Sequence, residues 1–489
     1  MEAMSLSPGD RQHARPRIWP LFLATFLSTY TFAVANISVP GVQASLGVNG
    51  SQTALMIGAY TVSFAAGLII CGRLGDRYGR RRLFRIGTAS MIVTSLITAA
   101  APNLGLLILG RLLQGVSAAI TTPQILASVQ AMLTGPARSR AIGMYSIVAG
   151  VGTIGGQILG GLINSLFPVE YGWRAAMLSI GLIAAIALVG TLWLRDTRSP
   201  NPEGLDVTGS IVVALTLFVL ITGLTNASSV DPTHPWSEPL TLVSTLALLV
   251  LAVGGTFLLW QHIRGRALAQ KPSVLPLHVI REPGVRIGVT LAAVFFCMLG
   301  GFMYNFAVLT QQGFGWSPLK GGIALLALAG SFVLASSFAT RLHDLWGPKV
   351  LVIGAGVQSI GLAALAVLAF SPTSNDTFLW LFQICALFTG GGQGLMMGPL
   401  VSVVMNTVPT RVAGLTGGLV ATGQQAGMGL GVATLSSFFT FASDHVPVRT
   451  AFGLTVTLTI AVSCLFGLLA MQLVRPVPGT AAGAAAEPA

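Results

Sequence analysis

The amino-acid sequence predicts an all-α membrane protein that crosses the bilayer fourteen times, and three observations lead there. Of its 489 residues, 53% are hydrophobic and only 8% are charged, with a mean hydropathy of +0.80. A soluble domain is about 25% charged and could not bury so much apolar surface. Apolar runs of roughly 20 residues, enough to cross a hydrocarbon core of about 30 Å, recur along the chain between short polar or Gly/Pro breaks. Basic residues crowd into alternate loops, as a fixed membrane orientation requires.

Residues 1–17 read as a polar tail bearing Arg11, Arg15 and Arg17. The apolar run that follows continues past Asn36 without a small-residue cleavage site, so it is expected to remain as the first span. Spans are expected over 18–38, 53–72, 83–101, 104–131, 139–163, 174–194, 205–226, 239–261, 284–311, 319–340, 349–370, 377–405, 411–437 and 450–473. An even number of crossings puts both termini on one side. Counting residues at span ends with the adjoining loop, that side receives 22 of the 26 Lys and Arg; the other receives Arg174, Lys320 and Arg449, and Arg111 alone lies deep inside a span. The positive-inside rule makes the rich side cytoplasmic, which implies a multi-pass inner (plasma) membrane protein with cytoplasmic termini and an external loop over 230–239.

One internal repeat organises the chain. Gly72-Arg-Leu-Gly-Asp-Arg-Tyr-Gly-Arg-Arg81 returns as Thr340-Arg-Leu-His-Asp-Leu-Trp-Gly-Pro-Lys349, matching Arg73, Leu74, Asp76 and Gly79 at one offset. Each copy follows the second span of a bundle, which implies two homologous six-helix halves with a helix pair between them. The expected units are a tail (1–17), a first bundle (18–198), an inserted pair (199–265), a second bundle (266–475) and an Ala/Gly/Pro-rich tail (476–489).

Several function classes are excluded. The net charge of +12 and the pI near 10.4 would suit nucleic acid only on a polar domain with a basic face, and there is none. Cys71, Cys297, Cys385 and Cys464 stand singly in apolar stretches, with neither metal-site nor disulfide spacing. Gly150-Val-Gly-Thr-Ile-Gly155 matches a dinucleotide pattern literally, but it lies in an apolar helix with no preceding strand. No catalytic constellation, metal or cofactor is expected, and the chain is read as a non-enzyme.

The loop Gly72 to Arg82, between the second and third spans, resembles the signature loop of the major facilitator superfamily. Leu109-Gly-Arg-Leu-Leu-Gln-Gly115 is similar to that family's second motif, and the glycines 143, 152, 156, 160 and 161 to its antiporter motif. With the 6+2+6 layout, Tyr171-Gly-Trp-Arg174 and Gly204-Leu-Asp-Val-Thr-Gly209, the chain resembles the fourteen-helix drug:proton antiporter branch. The resemblance implies a major facilitator fold, export of drugs, antibiotics or other metabolites by alternating access, and protons as a second partner. Three positions depart from the branch: Thr31 stands where it carries Asp, Gln157 where it carries Pro, and Gln424-Gln425 where Arg-Gln is common.

The six histidines and thirteen of the fourteen acidic residues fall outside the expected spans, and Asp206 stands at the very start of one, so no group that titrates near neutrality remains at mid-membrane. Proton antiport through a buried carboxylate is therefore not expected. Arg111 is the sharpest candidate, because an intramembrane Arg costs at least about 2.5–3.5 kcal/mol and persists where it lines a cavity or has partners. It is expected to hold an anionic or carbonyl-rich substrate, with Gln114 and Asn36 as alternative amide partners. Gly72, Asp76, Arg77, Gly79 and Arg80, with Asp344 in the second copy, are expected to form a gate latch, Asp76 meeting a helix N-terminus of the opposite half. Thr31, Asn36, Gln157, Tyr304, Asn305, Gln311, Gln424 and Gln425 suggest a neutral, hydrogen-bonding substrate or coupling cavity with aromatic and Met walls. The expected partners are a small-molecule substrate and the lipid bilayer, and the working unit is a monomer. An uptake carrier or facilitator for a neutral or anionic solute is the alternative reading, and a non-transporting scaffold or receptor the second.

Overall fold

The computed structural model describes residues 18–198, 204–227, 239–275, 277–406 and 413–474. The tails expected at 1–17 and 476–489, and the external loop expected over 230–239 up to Glu238, lie outside those residues. The described chain is helical, with no strand among the described residues. In lipid every backbone N–H and C=O must be satisfied inside its own segment, and an apolar chain does this by forming helices.

The spans are α1 (Trp19–Ile37), α2 (Gly50–Tyr78), α3 (Arg80–Ala99), α4 (Leu104–Met132), α5 (Gly135–Leu166), α6 (Val169–Gly190), α7 (Val207–Ala227), α8 (Pro239–Leu268), α9 (Pro283–Val308), α10 (Leu326–Trp346), α11 (Lys349–Phe370), α12 (Asn375–Asn406), α13 (Ala413–Gly431) and α14 (Val448–Val474). A π-helical turn, Val432–Ser436, carries α13 on into a short helix, Ser437–His445. Thirteen of these spans are apolar enough to cross a membrane by composition alone. The remaining one is α3, whose first turns hold Arg80, Arg81, Arg82 and Arg85. Local signals set several ends: Asn49 and Gln52 form a reciprocal capping box at α2, and Asn103 caps α4.

Packing repeats across the chain. In the first six spans α1 lies on α5 and α6, α4 on α2 and α3, and α3 on α6. In the last six α9 lies on α13 and α14, α12 on α10 and α11, and α11 on α14. Each pair recurs eight helices later. The loop repeat keeps its geometry too: Gly79 (φ 100°) ends α2 and Gly347 (φ 57°) ends α10, both in backbone that suits glycine.

A second repeated device involves the basic residues expected on the poor side. Arg174, at the start of α6, donates to the carbonyls of Ala99 (2.8 Å) and Ala101 (2.7 Å) at the end of α3. Arg449, at the start of α14, donates to those of Ala369 (3.1 Å) and Leu368 (2.9 Å) at the end of α11. Each cation satisfies orphan carbonyls at the negative end of a helix dipole.

The pair α7–α8 lies between the halves in sequence and against the first in space. Ile221 of α7 packs with Val62 of α2 and with Ala433 of the π turn. α8 packs on α7 and turns Leu240, Val250, Val253 and Leu258 outward. Asp206, before α7, accepts from the amides of Val274 (2.8 Å) and Gly209 (3.0 Å) and pairs with His262 (2.9 Å). Burial works against its charge, but these hydrogen bonds outweigh that and hold the carboxyl below its ordinary pKa. Arg73 of the signature loop donates to the carbonyls of Gly204 and Ser273, both at 3.1 Å, and so binds the two ends of the inserted pair to α2.

Candidate functional site

A cavity of about 1730 Å³ lies between the halves and opens on the arginine-rich side. The first half contributes Thr25, Ser28, Thr29 and Phe32 from α1, Tyr60 and Phe64 from α2, and Thr153 and Gln157 from α5. The second contributes Phe295, Phe296 and Met303 from α9, Phe332 from α10, Gln393 and Met397 from α12, and Gln424, Gln425 and Met428 from α13. Thr25, Ser28 and Thr29 share one helical face by their spacing, so a single polar stripe is presented. The wall is thus aromatic and thioether surface interrupted by hydroxyls and amides from both halves. Its carboxylates among the described residues are Asp76 and Asp344, both at the mouth.

On the opposite side the cavity is sealed. The backbones of α5 and the short helix Pro318–Ala324 meet there with no room for a side chain. A Cβ on Gly161 would lie 2.6 Å from the Pro318 carbonyl oxygen, and one on Gly322 would lie 2.4 Å from that of Gln157. Around this contact Tyr304 donates to the Gly50 carbonyl (2.9 Å) and bonds Thr53 (2.8 Å), and the Gln311 amide donates to Ile37 (2.9 Å). All three side-chain links join α9 or its extension to the first half.

The residues singled out from sequence therefore separate into groups. Gln157, Gln424 and Gln425 line the cavity, and the Gln425 carbonyl oxygen is buried with no hydrogen-bond partner among the described residues. Tyr304 and Gln311 belong to the seal instead. Asn305 lies behind it, donating to Leu435 (3.3 Å). Thr31 and Asn36 face away from the cavity and return their donors to Leu27 (2.7 Å) and Phe32 (2.9 Å) on their own helix.

Arg111 is fully buried and sits one layer behind the wall. Its guanidinium donates to the Gln114 carbonyl oxygen (2.8 Å), and Gln114 in turn donates to Ser95 (3.1 Å). It stacks over the Tyr60 ring, 4.4 Å from the centroid, while the Tyr60 hydroxyl donates to Ser28 (3.1 Å). Asn36 is not a partner, and Nε and one terminal nitrogen of Arg111 have none among the described residues.

The signature loop rings the mouth. Asp76 pairs with Arg80 of its own loop at 2.7 Å rather than with the second half, and Arg80 also donates to Ala127 (3.0 Å). Gly72 lines the mouth against Pro123, Arg77 lies over Tyr78, and Asp344 lines the mouth from α10. Arg81, read from sequence only as an orientation signal, donates to the Thr191 carbonyl (3.0 Å) and holds the end of α6. The hydroxyl stripe of α1 and the aromatic pair Tyr60/Phe64 were not singled out from sequence, although the spacing of Thr25, Ser28 and Thr29 announces the stripe.

Comparison with known proteins places this geometry. Residues 21–432 match the family model described as Major Facilitator Superfamily. The chain is 30% identical to the puromycin resistance protein pur8 of Streptomyces alboniger, over 97% of its own length and 93% of that protein's. It is 29% identical to the tetracenomycin C resistance and export protein of Streptomyces glaucescens (86% and 76% covered). It is 28% identical to the drug efflux pump JefA of Mycobacterium tuberculosis (85% and 78% covered). In fold it resembles the inward-open xylose transporter XylE of E. coli, with a TM-score of 0.62 at 15% identity, covering 95% of this chain and 97% of that one.

Proposed function

The chain belongs to the major facilitator superfamily, and from that premise we propose that its central cavity is the transport site of an exporter for small amphipathic organic compounds. The substrates on this reading are drugs, antibiotics or secondary metabolites. The observation that carries the proposal is a cavity shared by two pseudo-symmetric halves, open on one side and sealed on the other. Rocking the halves about the cavity would part Gly161 from Pro318 and Gly322 from Gln157 while closing the mouth. The relatives named above as resistance, export and efflux proteins support the outward direction.

On this reading the arginine-rich side is cytoplasmic, both termini lie there, and the chain works as a monomer in the plasma membrane without catalysing a reaction. Asp76 acts as the latch group. In the inward-facing form it is parked on Arg80, and closure of the mouth would carry it to a helix N-terminus of the second half. Proton coupling through a carboxylate in the cavity interior is not part of the proposal, because Asp76 and Asp344 lie at the mouth.

The test is a panel of antibiotics and dyes in an efflux-deficient host, followed by flux in proteoliposomes. Lower accumulation in the host and saturable flux in vesicles are expected. Absence of flux for every member of the panel, from folded protein, would sink the proposal and favour a scaffold.

A further inference from the structure

The electrostatics of the cavity wall bear on which molecules are carried, an inference that rests on the reading that this cavity is the transport site. Among the described residues, the charged side chains touching the cavity are Arg73, Asp76, Arg80, Lys271, Arg281 and Asp344, all at the mouth. Four are cations and two are anions, and one of the anions is already paired with Arg80 at 2.7 Å. Farther in, the described lining is uncharged. Directly behind it stands Arg111, fully buried and stacked 4.4 Å from the Tyr60 ring, with no carboxylate paired to it among the described residues.

A buried charge of this kind is poorly screened, so its positive potential reaches through the ring into the cavity. Arg111 lies on the far face of the Tyr60 ring, and its charge offsets the attraction that the near face would offer a cation. Other rings, Phe32, Phe295 and Phe332, offer cation–π attraction, which falls short of the cost of stripping water from an ammonium that gains no counter-charge. An uncharged molecule meets no such obstacle. Flat rings pack between the aromatic walls, and carbonyls and hydroxyls find amide side chains on the wall, such as that of Gln424, that both donate and accept.

We infer that the transport site takes uncharged, flat aromatic molecules bearing carbonyl and hydroxyl groups, and discriminates against organic cations. Arg111, one layer out, sets that preference by its field.

The test compares two probes in proteoliposomes: a hydroxylated anthraquinone, uncharged at the assay pH, and the same ring with a quaternary ammonium arm. Flux of the uncharged probe should exceed that of the cation by about tenfold or more, equivalent to roughly 1.4 kcal/mol. Gln424→Glu, which places a carboxylate on the wall, should shrink that ratio by raising cation flux. Equal flux of both probes through the native protein overturns the inference and leaves the export reading standing. If neither probe moves, and the antibiotic panel also fails, the export reading itself falls. Should Gln424→Glu not fold, the native comparison still decides.

Discussion

Substituting Gly322 by alanine tests the alternating-access reading where the structure is tightest. The new Cβ would lie 2.4 Å from the Gln157 carbonyl oxygen and 2.9 Å from its carbon. Ordinary contacts begin near 3.5 Å, so the halves must separate by roughly 1 Å on the sealed side. The obstacle is backbone and cannot swing away. Overpacking of this kind costs about 1–3 kcal/mol. Because the clash exists only while the seal is shut, that cost applies to the inward-facing form alone and shifts the equilibrium outward by about 5- to 150-fold. A cysteine placed on the cavity wall (Ser336→Cys), in a background lacking the four native cysteines, reports the shift through labelling by an impermeant maleimide in inverted vesicles. Labelling should slow in proportion. Gly110→Ala is the control: its Cβ would meet Thr98 at 2.6 Å within the first half, so it should lower thermal stability without changing the labelling of folded protein. Unchanged labelling in Gly322→Ala would refute the claim that this contact is the seal.

Asp76→Asn, which discharges the 2.7 Å pair with Arg80, should slow transport at near-normal expression, and Asp344→Asn should be milder because Leu345 and Pro348 replace Arg77 and Arg80 in its copy; equal losses would count against the asymmetry. Arg111→Ala should abolish transport and Arg111→Lys should weaken it, since a compact ammonium cannot stack on Tyr60 as a planar guanidinium does while donating to Gln114; wild-type flux in either variant removes Arg111 from the machinery. Asp206→Ala strands the amides of Val274 and Gly209 and should loosen the inserted pair by about 1–3 kcal/mol, read as faster proteolysis between α8 and α9. The Asp206 pKa is held low, so that stabilisation should persist at all pH values above the ordinary carboxylate range and fade on acidification through the lowered value. Substrate flux should change little when a pH gradient is imposed on proteoliposomes; strong acceleration with proton counterflow would contradict a cavity without interior carboxylates.

The crossings were legible because hydrophobic length is a direct physical requirement. Even α3 could be read, from the run after Arg85, although its arginines lower its average hydropathy. The direction in which a polar side chain points was not legible. In helices apolar on every side the sequence carries little phase, so Gln157, which faces the cavity, and Asn36, which does not, looked alike. Arg111 shows the same limit: its burial followed from its position, but its separation from the cavity by Tyr60 depends on how α2 sits on α4. Tyr304 and Gln311 read as wall residues because a seal, like a wall, needs polar groups near helix ends, and only the partners across the interface tell the two apart. Arg174 and Arg449 passed as orientation charges because their carbonyl partners lie more than seventy residues away in sequence.

The placement of α7 has a consequence for molecules already dissolved in lipid. Two halves that rock against each other leave a vertical crevice on either flank of the barrel through which an oily solute could slip sideways out of the leaflet. One crevice, between α2 and α13, is roofed by α7, where Ile221 touches Val62 and Ala433. The other, between α5 and α10, has no such cover among the described helices. Any sideways entry from the bilayer would thus face cover on one flank and not on the other, where Ile142, Gly150 and Phe332 border the cavity.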